Sequence, residues 1–168
     1  MISEIKDLVA HMVWADNEIW KEIFKLDTQK DIHEIHNLML HIHSCQFAYH
    51  NIWNNQPLPN FDKIKFQSLH ELYNWGIDLH KRNLDFINNL KEQNLDDTIT
   101  LPWIKIFEDE FGKPPEKTNL KDTIHQVIMH SMYHRGQVNL KIRSLENKPP
   151  LIDYIYWIWL GKPLPEYF

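Results

Sequence analysis

Cysteine occurs once in the 168 residues, at Cys45, and glycine only four times. One cysteine cannot close a disulfide within the chain, and it leaves no Cys-based zinc motif. That fits a reducing compartment. Scarce glycine argues against a loop-rich or many-turned β architecture and favours long helices. No run of about eighteen apolar residues exists, so no membrane span is expected. Residues 1–12 carry Glu4, Lys6, Asp7 and His11 and lack the basic-then-apolar order of a signal peptide. A basic stripe is also missing. Lys and Arg number 18 against 23 Asp and Glu, a formal net charge of -5. Nothing in that balance suits a protein built to grip phosphate backbones. The expectation is a cytoplasmic protein that binds neither nucleic acid nor membrane.

What the chain does hold is 43% apolar residues, 12% aromatics and eleven histidines. Its length is that of one domain, residues 1–168, able to bury a continuous core. Apolar residues recur at three- and four-residue steps in four long stretches. The first runs from Ser3, a potential cap, to about Leu26, with Ile5, Leu8, Val9, Met12, Ile19 and Ile23 on its stripe. Asp27 and Thr28 begin a polar turn, and a second helix is expected over Lys30–Asn54, ended by Pro57 and Pro59. Ser68 with Glu71 reads as a capping box for a third helix reaching about Asn94. Asn119, with Asp122 near the positive helix end, opens a fourth that runs to about Leu145. Leu151–Leu160 reads as a short, aromatic-rich fifth helix. Between the third and fourth, Leu95–Lys117 reads as irregular. Thr98–Leu101 there could be a strand, and Ile104–Phe111 is ambiguous between strand and helix; a hairpin or covering loop is expected.

Four long amphipathic helices suggest a bundle, and bundles build metal sites from side chains on facing helices. His11, His33, His36, His50, His70, His80 and His125 are scattered over several faces and read as surface or half-buried polar residues. His130 and His134 differ, being four apart on one predicted helix and so one turn apart on one face. They follow the rhythm of Thr123, Val127 and Gln137, which predicts that they point into the core. A buried imidazole pair without partners is costly, and a metal satisfies both. Two ligands leave a metal unsaturated, so a third is expected from another helix. His41 and His43 lie about 200° apart around the second helix, so only one can face inward. His41 is in step with Leu38 and Cys45, whereas His43 falls toward the more polar side, so His41 is the better third ligand. Cys45, one turn on, is the competing fourth. No H-E-x-x-H is present, which excludes that metalloprotease pairing. Gly136 and Gln137 are candidates for indirect support, Gly136 by allowing a close approach and Gln137 by hydrogen-bonding a ligand imidazole.

The run His130-Ser-Met-Tyr-His134-Arg135-Gly136-Gln137 resembles the H-x-x-x-H-R-G-Q signature of the DinB family of damage-inducible proteins, within the wider DinB/YfiT-like group. Leu40-His41-Ile42 with Cys45-Gln46 is similar to that family's second-helix segment, and Met12-Val-Trp14-Ala15-Asp16-Asn17 to its first. Pro150-Leu-Ile-Asp153-Tyr154 resembles the stretch after its fourth helix. The resemblance implies an all-α, four-helix bundle of the DinB/YfiT type, with a short extra C-terminal helix. It implies one divalent metal, commonly nickel, zinc or iron, on His41, His130 and His134, and it implies homodimers. Some relatives are transferases or isomerases that use low-molecular-weight thiols.

Three neutral imidazoles leave a bound metal dicationic with an open position, the pattern of a catalytic site. Three functions are compatible with that. One is a metal-dependent thiol S-transferase acting on electrophiles, the leading expectation. The others are a metal-dependent hydrolase and a non-catalytic metal-binding stress-response protein. The aromatic run Tyr154–Trp159 is apolar on more than one face, which suggests self-association unless Leu95–Lys117 covers it.

Overall fold

Four long helices carry the chain: α1 (Ile2–Ile23), α2 (His33–Trp53), α3 (Leu69–Asn89) and α5 (Leu120–Ser144). Two short ones, α4 (Ile104–Phe111) and α6 (Tyr154–Trp159), are added to them. The computed structural model describes residues 2–27 and 32–168. The expected turn at Thr28 and helix start at Lys30 therefore lie outside the described residues. Within them the fold is all-helical, with six α-helices, two 3-10 turns (Phe61–Lys63 and Glu92–Asp96) and no strand.

The helix starts are set by side chains that satisfy otherwise orphaned backbone donors. Ser68 Oγ accepts from Glu71 N–H at 3.2 Å, and Glu71 Oε2 accepts from Gln67 N–H at 2.8 Å. Asn119 and Asp122 form a reciprocal capping box at the start of α5, at 2.9 and 3.2 Å. Each long helix packs on two others, in the cyclic order α1, α3, α2, α5. Thus α1 faces α2 across the bundle, and α3 faces α5.

The inward stripes explain this packing and also divide the core in two. On α1 the stripe is Ile5, Val9, Met12, Asp16, Ile19 and Ile23; on α2 it is Ile35, Met39, Ile42, Gln46, Tyr49 and Trp53, all buried. Both keep strict three- and four-residue steps, and both are interrupted by one polar residue midway. Toward one end Ile5, Val9, Met12, Trp53, Ile87 and Ile124 share an apolar cluster. Toward the other, Ile19, Trp20, Ile35, Met39, Leu72 and Ile142 share a second. Between them lies a polar layer of Asp16, His43, Gln46, His80, Ser131 and Arg135, every member buried.

The segment before α5 corrects the expected hairpin. Ile104–Phe111 is a helix, held by a Lys105–Asp109 ion pair at 2.5 Å and closed by Gly112 in the left-handed region at φ +67°. Pro102 lies just ahead of the helix, where it costs no backbone hydrogen bond. The possible strand at Thr98 is reduced to one isolated antiparallel bridge with Asn119. The third helix ends at Asn89, five residues short of Asn94, and Glu92–Asp96 continues as a 3-10 turn. The C-terminal helix begins at Tyr154 rather than Leu151 and rests Trp157 on Trp14 and Ala15. Ile99, Leu101 and Trp103 pack instead on the cluster around Val9 and Tyr49, so that segment is not what α6 rests on.

Candidate metal centre

α2 and α5 are bundle neighbours, and the groove between them collects three imidazoles. One ligand nitrogen from each of His41, His130 and His134 lies within 4.8 Å of the other two. His130 and His134 are consecutive turns of α5, with ring centroids 4.4 Å apart; His41 reaches them from α2, at 5.0 and 4.5 Å. The sequence expectation of a core-facing pair is corrected here. His41 is exposed and the other two are half-buried, so the group opens on the bundle surface. At this level of α5 the residues that enter the core are their neighbours Ser131 and Arg135.

The donors are prepared for a cation. His134 Nδ1 donates to Gln137 Oε1 at 2.8 Å, because an amide oxygen can only accept. The His134 proton therefore sits on Nδ1, and Nε2 presents its lone pair. The Nε2 atoms of His41 and His130 meet at 3.0 Å. Two lone pairs do not face each other at that distance, so one nitrogen carries a proton that a shared cation would replace. Burial and the neighbouring imidazoles of His134 and His41 push His130 down to about 4. Burial, then His134, also lowers His41. Near neutral pH these two rings are uncharged, and a metal competes with few protons for them. The donor set therefore fits a divalent transition metal.

Cys45 does not join the group; it is half-buried, and burial pushes its thiol up to about 12. Gly136 is also not the close-approach position expected of it, since a Cβ built there meets nothing within 4 Å.

A second cluster, Asp16, His43 and His80, has metal-like spacing but is already occupied by hydrogen bonds. Trp20 Nε1 donates to His43 Nε2 at 3.0 Å, and His43 Nδ1 then donates to Gln46 Oε1 at 3.1 Å. Asp16 Oδ1 accepts from Arg135 at 2.6 Å, while Oδ2 accepts from Gln46 at 2.7 Å and from His80 at 3.2 Å. Burial by itself would raise the Asp16 carboxyl, yet the Arg135 guanidinium and the His80 hydrogen bond hold it well below the usual range. With both His43 nitrogens engaged and a guanidinium on Asp16, this cluster ties the helices together and offers a cation no free His43 nitrogen. Sequence reasoning placed His80 near the surface and His43 on the polar side; both are buried. The available signal was the unbroken helical step that puts Asp16 and Gln46 inside otherwise apolar stripes.

Beside the histidines opens a cavity of about 620 Å³ whose wall includes His41 and His130. A smaller groove of about 450 Å³, lined by Glu34, Asn37, Gln137 and Lys141 among others, flanks the other side.

A family model described as the DinB superfamily matches residues 4–138. The chain belongs to the DinB superfamily. The match runs from α1 into the second half of α5, so all three histidines and the Trp14–Asn17 segment lie inside this DinB-superfamily region, and α6 lies beyond it. No curated protein matches the chain. No helix among the described residues is long and apolar enough to cross a membrane.

Proposed function

We propose that this DinB-superfamily chain is a metal-dependent enzyme that joins a small-molecule thiol to an electrophile. One divalent transition metal, with nickel, zinc and iron as the candidates, is held by His41, His130 and His134. The observation that carries the reading is the convergence of three imidazoles at the mouth of a cavity, with no fourth His, Cys, Asp or Glu among the described residues completing the set. When bound there, the metal supplies Lewis acidity at an open position and lowers the pKa of a thiol or water that reaches it. The chain itself orients the donors. Gln137 fixes the His134 tautomer, and the buried Asp16–Arg135 pair anchors α5 one residue from His134. Cys45, protonated near neutral pH, offers no thiolate of its own, so the nucleophile arrives from solution.

Metal analysis of the native protein, repeated on His41→Ala, His130→Ala and His134→Ala, tests the site. One equivalent in the wild type and loss in each variant is the expected result, and unchanged binding in a variant removes that residue. Turnover of 1-chloro-2,4-dinitrobenzene with a small thiol, dependent on the metal, tests the reaction. Ester hydrolysis without thiol would replace it with the hydrolase reading, and inactivity with every thiol and ester tried would favour a non-catalytic metal protein.

A further inference from the structure

The proposed metal centre leaves open what kind of molecule is presented to it, and the adjoining cavity narrows the answer. At about 620 Å³ it has the size of a small-molecule site. Tyr49 and Trp103 form one aromatic corner, edge to face at 5.4 Å between ring centroids. Phe61 and Ile64, from the turn after α2, add further apolar wall. No described Lys or Arg lines it, and its one charged carboxylate is Asp62.

We infer that this cavity binds an aromatic compound whose ring body is uncharged, lying against the His41 and His130 ligands; the inference rests on the metal-centre reading. The argument is one of charge. An anionic group among these walls gives up part of its hydration and meets no cationic side chain in return, only the neutral donors of Asn37, Ser44 and Gln126. The only place an anion is matched is the metal itself, so at most one end of a ligand can carry negative charge. A cationic ligand gains little from Asp62, which is exposed and hydrated, and is repelled by a dication held on His41 and His130. A neutral aromatic ring meets neither penalty, and it finds aromatic partners of suitable geometry.

Isothermal titration of the full chain, with one equivalent of zinc and without metal, compares two probes of the same outline. These are 2,6-naphthalenedimethanol, which is neutral, and 2,6-naphthalenedisulfonate, which is charged at both ends. The neutral probe is expected to bind one to one and at least tenfold more tightly in both forms. Trp103→Ala should weaken it at least fivefold. Phe61→Ala, on an exposed turn and safe for folding, should weaken it about threefold. Asp62→Lys should narrow the gap between the probes. With cobalt in place of zinc, the bound probe's ring protons should relax markedly faster. Equal or tighter binding of the disulfonate, or indifference to both aromatic substitutions, overturns the inference, as does the absence of a cobalt effect. If the chain takes up no metal, the metal-centre reading fails while the metal-free titration still stands. If metal binds and the neutral probe does not, it is the cavity assignment that fails.

Discussion

The space where Gly76 lacks a side chain is filled by the imidazole of His43: a Cβ on Gly76 would lie 2.6 Å from Nε2 and 2.9 Å from two ring carbons. That nitrogen accepts the Trp20 hydrogen bond inside the core, so displacing the ring breaks a buried bond. Gly76→Ala forces the ring aside and strands the buried indole N–H. It is expected to destabilise the fold by about 2–4 kcal/mol, although alanine is the better helix former. Urea unfolding measures this, and an unchanged midpoint would show that the ring has slack.

Gly136 predicts the opposite sign. It sits in α5 on the exposed side, with open space where a Cβ would go. Gly136→Ala should stabilise by about 0.5–1 kcal/mol and leave zinc affinity unchanged. A loss of stability would mean that something in solution occupies this face.

Burial first, and the neighbouring His80 second, push His43 down to about 4, against the opposing pull of Asp16 and the Gln46 hydrogen bond. In the unfolded chain it titrates near 6.5. Between those values the unfolded state holds more protons. The His43 contribution to stability is therefore complete above about pH 6.5, falls as the pH drops toward 4, and levels off beneath, a loss on the order of 3 kcal/mol. Asp16, held low, adds its loss only below the ordinary carboxylate range. Chemical unfolding of the metal-free protein at pH 7, 5.5 and 4.5 measures the slope. Matching slopes in wild type and His43→Gln would remove His43 as the cause.

The helices were legible because caps and apolar spacing agree at Ser68 and Asn119, and the three histidines were legible from H-x-x-x-H together with the family-like segments. Their facing was not. α5 leaves Met129, Met132, Tyr133 and Leu140 exposed while burying Ser131 and Arg135, so hydrophobicity alone rotates its apparent inner face. The same inversion on α2 hid His43. The 200° separation correctly allowed one inward residue, but the inward one is His43, and His41 looks into the groove. α4 was hidden by flanking prolines and Gly112, which bound a two-turn helix rather than exclude it.

α6 keeps Trp157 inside and leaves Ile155, Trp159 and Leu160 exposed, beside an exposed Leu151. A second copy of the chain is the proposed cover. Sedimentation velocity at micromolar concentration should show a dimer that Trp159→Glu with Leu160→Lys converts to monomer. A monomeric wild type would sink the proposal.

At the proposed metal centre Gln137 acts through one proton. Its Oε1 holds the His134 Nδ1–H at 2.8 Å, which fixes the ring's orientation and keeps the lone pair on Nε2. Gln137→Leu removes the acceptor with little change in volume. His134 then samples both tautomers and turns more freely, and zinc affinity should fall about 10–100-fold. Gln137→Glu places a carboxylate on the same proton, raises the basicity of Nε2, and should recover most of that loss or exceed the wild type. Chelator competition reads the affinities. Gln137 is only half-buried, so thermal midpoints of the metal-free variants should stay close to wild type, separating a local effect on His134 from general loosening. Equal zinc affinity in the wild type and both variants would show that the bond to Gln137 does not govern the ligand.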